Sequence, residues 1–352
     1  MTGLSSVASA APAWAITPPD LEDYRHGGCG IPYVLIRESG QPGPRVVLNA
    51  LTHGNELAGA IALDNLLRCG FRPQAGQVAF CFANVAALAR FTPEQPYLAR
   101  FVEEDLNRIW GGEPAPARQT QERQRAQALR PLYDQADFLL DLHSMHLDSP
   151  PLILAGVADR AVRFALQPGF PDWVIRDGGH AAGRRLIDYS RFADPGGTAV
   201  ALLAECGYHG AAQTVSAAVR ISLRFLVGAG AVSPAEGRRW LKAAGVGGAA
   251  DLGLEPAPSS PSASPGASPR IPTVLQVIEA VTVQTGSFGF VREFANLESV
   301  PAAGTLIAQD GPRTIRTPCP ECRLILPVAR AGVGQTAVRF GRKVCLSSQN
   351  TP

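Results

Sequence analysis

Nowhere in this 352-residue chain does an apolar run approach the roughly 20 residues that a membrane-crossing helix needs, so no spanning segment is expected. Charge of one sign is equally scarce. The 32 basic and 30 acidic side chains leave a net +2. No basic run, and no interleaving of basic with aromatic residues, offers a nucleic-acid groove. A disulfide framework is missing too. Seven cysteines, an odd number without repeated spacing, point instead to a reducing compartment. The first twenty residues are rich in Ala and Ser and lack the Lys/Arg-led start of a secretory signal. Residues 1–20 therefore read as a loose N-terminal arm, and the cytoplasm is the expected location. No internal repeat occurs, and neither Gly178–Gly179 nor Gly196–Gly197 has the spacing of a phosphate cradle.

What the chain does have is apolar material, 46% of its residues, enough for a large core in two domains of unequal size. Arg45–Leu51 is a short β-branched and aliphatic run, hence a buried strand. It leads into His53-Gly54-Asn55-Glu56. After these, Leu57, Ile61 and Leu66–Leu67 recur at helical spacing, with Gly70 as a stop. Further strands are expected at Tyr33–Ile36, Gln77–Ala83, Asp137–His143, Leu152–Ala155 and Ala199–Ala204. Gln119–Gln135 reads as a polar, solvent-facing helix, and helices are expected at Ala211–Leu226 and Pro234–Ala244. Phe91–Trp110, broken by Pro93 and Pro96, is a long loop of the kind that carries function. Strands alternating with helices make residues 21–250 an α/β layered domain. The Pro/Ser/Ala-rich stretch 251–270 is a linker. From 271 to 352 the texture is short β runs at Thr273–Val283, Gly289–Glu293, Thr305–Ala308, Cys322–Leu326 and Gln335–Phe340, a smaller all-β domain.

Several polar residues fall where strands end, which is where open α/β sheets build their sites. His53 and Glu56, three positions apart across a turn, can reach one cation, although an isolated H-x-x-E is more commonly a satisfied loop histidine beside a solvated glutamate. His143 closes a second apolar strand. Two imidazoles and a carboxylate make the open three-ligand zinc site of hydrolases, which leaves a position for water. Glu205, at another strand end, is the candidate proton acceptor. Arg100 can polarise a carbonyl, and Arg108 can clamp a carboxylate beside Asn107. Each arginine could equally be a loop charge in a surface ion pair. Cys319-Pro-Glu-Cys322, a C-x-x-C without a second pair, reads as a loop. His146 and His209 read as surface or loop positions.

The order H-x-x-E, R-x(6)-N-R, D-L-H and E-C-G resembles the aspartoacylase and succinylglutamate desuccinylase family, itself related to the zinc carboxypeptidases. The resemblance runs through Val46–Gly207 and, more loosely, through Asn296–Val300, Gly304–Ala308 and Arg323–Pro327. It implies a carboxypeptidase-like mixed sheet flanked by helices, with the smaller β domain beside it. It further implies one Zn2+ per chain on His53, Glu56 and His143, with Asp105 hydrogen-bonded to the first histidine. Glu205 would be general base and then acid, Arg100 the carbonyl-polarising group, and Asn107 and Arg108 the holders of an α-carboxylate. The implied activity is zinc-dependent cleavage of a small N-acetyl- or N-succinyl-amino acid, in amino acid metabolism. A metallocarboxypeptidase acting on short peptides and a non-catalytic sensor of acyl amino acids stay open, as does homo-oligomerisation. Two departures stand out. No tyrosine follows Tyr208, where the family's β domain lends one to the site, and the arginine that reads the substrate side chain there has no counterpart at the same distance from Glu205 (Arg191 is the nearest in sequence).

Overall fold

A computed structural model describes residues 14–111, 119–166, 171–179, 182–246 and 271–344. The linker expected at 251–270 and residues 1–13 of the expected arm lie outside the described residues. In chain order the elements are β1 (Val34–Glu38), β2 (Arg45–Ala50), α1 (Leu57–Arg68), β3 (Gln77–Phe82), α2 (Val85–Leu88), α3 (Gln121–Asp134) and β4 (Phe138–Met145). They continue as β5 (Leu152–Leu154), α4 (Asp159–Leu166), β6 (Trp173–Arg176), β7 (Val200–Tyr208), α5 (Ala212–Gly228) and α6 (Pro234–Ala243). The C-terminal part holds β8 (Thr273–Thr282), β9 (Phe288–Phe290), β10 (Glu298–Val300), β11 (Leu306–Asp310), β12 (Arg313–Arg316), β13 (Cys322–Ile325) and β14 (Thr336–Val344).

An 11-stranded mixed sheet in the order β1-β3-β2-β4-β7-β5-β6-β8-β14-β13-β10 runs through the molecule. Its centre is parallel, β3-β2-β4-β7. Strands buried on both faces need apolar residues at successive positions, which is why β2 and β4 read as continuous runs rather than alternations. One face packs Val46, Leu48, Leu140, Leu142, Leu202 and Ala204 under α1, α4, α5 and α6. The other packs Val47, Leu139, Ala201 and Leu203 against α3 and the loop residues Leu106, Ile109 and Trp110. Side chains alternate across a strand. The face of Leu139 therefore also receives Asp141 and His143, and the face of Leu203 also receives Glu205.

The C-terminal part is all-β, as its texture indicates, and β9, β11 and β12 form a small antiparallel sheet of their own. Its other strands prolong the large sheet, because β8 pairs in parallel with β6 from Trp173↔Thr273 to Arg176↔Gln276. The composition break thus coincides with no break in the hydrogen bonding of the sheet. β6, β10 and β12 are three or four residues long, and α4 only eight. Such short elements carry too few periods to be seen in sequence. β9 also lies at Phe288–Phe290 rather than Gly289–Glu293. Helix α3 corrects the solvent-facing expectation, since Glu122, Ala126, Leu129 and Tyr133 are buried. The 91–110 stretch is irregular as expected, apart from single 3-10 turns at Pro96–Ala99 and Leu106–Arg108. The expected arm does not extend over residues 14–16, because Trp14 packs on Phe91 and Ala15 N–H donates to Gly210 O. No helix among the described residues is long and apolar enough to cross a membrane.

Candidate functional site

The carboxyl ends of β2, β4 and β7 lie side by side, and the site is built on them. Past Ala50 the chain turns out of β2 through Leu51, whose φ of 60° is left-handed. For a residue with a Cβ this costs on the order of 1–2 kcal/mol. The turn then threads between α2 and the loop before Arg100. A Cβ on Gly54 would come within 2.4 Å of the Ala87 and Leu88 backbone and 2.6 Å of Ala99 O, so only glycine fits there. Glu56 occupies the N-cap position of α1.

This geometry brings His53, Glu56 and His143 together, each about 97% buried. His53 Nδ1 and His143 Nδ1 each lie 2.8 Å from one of the two Glu56 oxygens. One donor atom from each of the three residues falls within 4.8 Å of the others. Burial pushes the Glu56 carboxyl up, but the two adjacent imidazoles outweigh it and hold the group well below the carboxylate range. Two imidazole nitrogens and one carboxylate are the donor types zinc accepts, so the residues fit a divalent ion of that kind.

The outer nitrogens are held as metal-ligating imidazoles usually are. His53 Nε2 lies 2.9 Å from Asp105 Oδ1, and His143 Nε2 lies 2.8 Å from Asp141 Oδ2. Both nitrogens of each ring thus face carboxylate oxygens, and His53 Nε2 also lies 2.9 Å from Arg100 Nη2. An ion bound at the Nδ1 atoms would leave Nε2 as the protonated nitrogen, with Asp141 as the acceptor for His143. Asp141 accepts in turn from Asn49 Nδ2 at 2.7 Å and Thr52 Oγ1 at 2.8 Å, while Tyr133 OH donates to Asn49 Oδ1. Asp141 escaped the sequence reading, although two-residue strand periodicity already placed it on the face of His143.

Glu205 stands directly across from His143 in the β4–β7 register. Its Oε2 is fully covered and has no hydrogen-bond partner among the described residues. Burial, with Glu56 nearby, pushes its carboxyl up to about 8. The next polar layer is Ser144, whose N–H donates to Glu56 Oε2 and whose hydroxyl lies 2.7 Å from His209 Nδ1. His209 is not a surface residue. It is 96% buried under Trp14 and Tyr97, and burial lowers its pKa to about 4, so the ring is neutral at pH 7. His146 is half-buried, feels the charges of Arg100 and Glu56, and has a covered Nε2 without a hydrogen-bond partner among the described residues.

Four arginines lie within electrostatic reach of one another, and Arg100 is the one beside Glu56. Arg100 Nη2 donates to Asp105 Oδ2 at 3.1 Å, and Nη1 lies 3.6 Å from Glu56 Oε1. Arg108 is drawn into the same neighbourhood, between Asp105 and the cations Arg100, Arg339 and Arg185. Asn107 spends its Oδ1 on Leu186 N–H at 2.8 Å, which leaves the Nδ2 amide as the group it can offer. Arg185 forks onto Asp188 and reaches Asp177, both at 3.2 Å or closer. Arg339, on β14, was missed in sequence. It is 91% buried, its Nε lies 3.2 Å from Asp177 Oδ2 without hydrogen-bond alignment, and its field reaches Glu205. Arg191 instead lies by Asp134 and Asp137, and Cys319 and Cys322 belong to the C-terminal core.

Residues 42–162 match the family model of the succinylglutamate desuccinylase/aspartoacylase catalytic domain. No curated protein sequence matches the chain. Among solved structures, succinylglutamate desuccinylase from Vibrio parahaemolyticus is 18% identical, with 89% of this chain and 87% of that one covered at a TM-score of 0.60. A succinylglutamate desuccinylase/aspartoacylase from Rhodobacter sphaeroides is 20% identical over 89% and 88%, with a TM-score of 0.59. A product-bound ectoine utilization protein from Ruegeria pomeroyi is 17% identical over 88% of each chain, with a TM-score of 0.54. These structures share the fold.

Proposed function

We propose that this chain is a zinc-dependent hydrolase that cleaves the amide bond of a small N-acyl amino acid, a reading supported by the match of residues 42–162 to the succinylglutamate desuccinylase/aspartoacylase catalytic domain. The observation that carries the reading is the convergence of His53, Glu56 and His143 donor atoms within 4.8 Å of one another, with Glu205 across the strand from His143. Zinc, when bound, supplies a Lewis acid that lowers the pKa of a water from about 16 towards 7.

The chain's own residues do the rest. Glu205 has a carboxylate oxygen with no hydrogen-bond partner among the described residues, which suits it to take the proton of the attacking water and return it to the leaving nitrogen. Its raised pKa suits the second task, and a bound divalent ion would favour the ionised form needed for the first. Arg100, beside Glu56 and Asp105, stabilises the oxyanion as the carbonyl becomes tetrahedral. Losing one such donor typically costs roughly 3–4 kcal/mol, on the order of a hundred- to a thousandfold in rate. Arg108, with the Asn107 amide, holds the α-carboxylate. Arg339, paired with Asp177 and with a field that reaches Glu205, adds a further buried cation, which supports a substrate with a second anionic group, as the name succinylglutamate describes for a structural relative.

Metal analysis of the purified chain and a screen of N-acetyl and N-succinyl amino acids against a dipeptide set test this reading. Near-stoichiometric zinc and release of free amine from acyl amino acids are expected, with substrates bearing two carboxylates preferred. Arg339→Met should raise KM for those substrates and leave KM for monocarboxylates unchanged. Hydrolysis confined to dipeptides would favour a carboxypeptidase, and binding without product a sensor.

A further inference from the structure

We propose that Glu122 is a positioning residue that holds the Arg100–Asp105 loop in its working shape. Glu122 sits in the first turn of α3 and is completely buried. Its carboxylate collects four donors. Oε1 accepts from Val102 N–H at 2.7 Å and Asn84 Nδ2 at 3.1 Å, and Oε2 from Glu103 N–H at 3.2 Å and Glu104 N–H at 3.4 Å. The three consecutive amides between Arg100 and Asp105 make no backbone hydrogen bond among the described residues. The segment is therefore curled around one side chain.

The grip is reciprocal. Glu103 Oε2 accepts from Gln121 N–H at 2.6 Å, and Glu104 accepts from the Thr120 hydroxyl and pairs with Arg123 at 2.7 Å. The loop's two glutamates thus cap the helix whose own glutamate caps the loop. At its far end Asn84 donates to Leu51 O, where β2 turns towards His53, and Gly54 N–H donates to Arg100 O. Glu122 consequently ties together the H-x-x-E turn, Arg100 and Asp105. Sequence gave no hint of this, because a glutamate in a polar helix resembles a solvated one. Orphan amides are costly to bury, and they need an acceptor fixed in space.

The inference rests on the proposed role of Arg100, and its test separates the two. Wild-type hydrogen exchange comes first and needs no variant. Val102, Glu103 and Glu104 amides should be protected despite lying in a loop, and fast exchange at all three would overturn the proposal. Glu122→Gln, which replaces one acceptor oxygen with a donor, should release those amides while the amides of β4 stay protected. Unchanged protection of 102–104 in that variant overturns it as well. In the zinc-loaded enzyme, Glu122→Gln should lower kcat by about ten- to a hundredfold with KM little changed. On an Arg100→Met background the same substitution should cost nothing further, whereas an additive loss would mean that Glu122 does not act through Arg100. An inactive wild type would sink the hydrolase reading and leave the exchange result standing.

Discussion

Glu205 shows what a single buried carboxyl does to the balance between folding and activity. Its folded pKa of about 8 lies above the ordinary 4.5 because charge is costly in its surroundings. Between those values the folded chain holds a proton that the unfolded chain has lost. The metal-free protein is thus stable with respect to this group below about pH 4.5, and it loses that stability as pH rises towards 8. Gln at this position cannot ionise. The melting temperature of metal-free Glu205→Gln should therefore exceed that of wild type by a margin that widens from pH 5 to pH 8. The zinc-loaded variant should keep its metal and lose nearly all turnover. A constant margin would show that the folded chain ionises this carboxyl as readily as the unfolded one, and full turnover would remove Glu205 from the mechanism. The residue was visible in sequence because a charge at the end of an apolar strand has little structural purpose. Arg339 was not, because nothing local distinguishes a β-strand arginine until tertiary contacts place it beside Asp177 and Arg108.

At the scale of elements, the proposed ligands depend on how closely α1 lies on β4. Gly59 marks the contact. An added Cβ would meet Leu142 Cβ at 2.8 Å, Ala50 Cβ at 3.2 Å and Leu142 O at 3.3 Å. Alanine in a helix interior is favoured over glycine by about 1 kcal/mol. Overpacking a filled core costs typically 1–3 kcal/mol, and here the obstacles are a Cβ and backbone rather than a flexible tip. The clash should win. Gly59→Ala is expected to lower the melting temperature and to weaken zinc binding, since α1 starts at Glu56 and β4 carries His143. Equal or higher stability would mean that the helix can shift without cost. The strands that position the site (β2, β4 and β7) were legible because burial on both faces forces apolar runs. The Glu122 clamp was hidden for the opposite reason: its partners are backbone amides, which leave no trace in residue identity.

For the whole molecule, the decisive contact is between β6 and β8, where the sheet crosses from the part before the linker to the part after it. Leu275, Leu297 and Ile325 share a core with Leu154 and Ile175. Asn296 donates to Ser149 Oγ at 2.6 Å and accepts from Leu326 N–H, and Arg339 pairs with Asp177 across the same junction. Sequence shows two textures and cannot show that one sheet passes through both, since hydrogen bonds between strands do not depend on which side chains flank them. A protease site engineered into residues 255–270 should therefore yield two pieces that co-elute in gel filtration and keep the activity of the intact chain. Such a site leaves every contact named here untouched. Should the pieces separate, the strand pairing would be too weak to unite the two parts. Arg339 would then reach Glu205 only through the covalent tether, and cutting it should abolish any preference for substrates with two anionic groups.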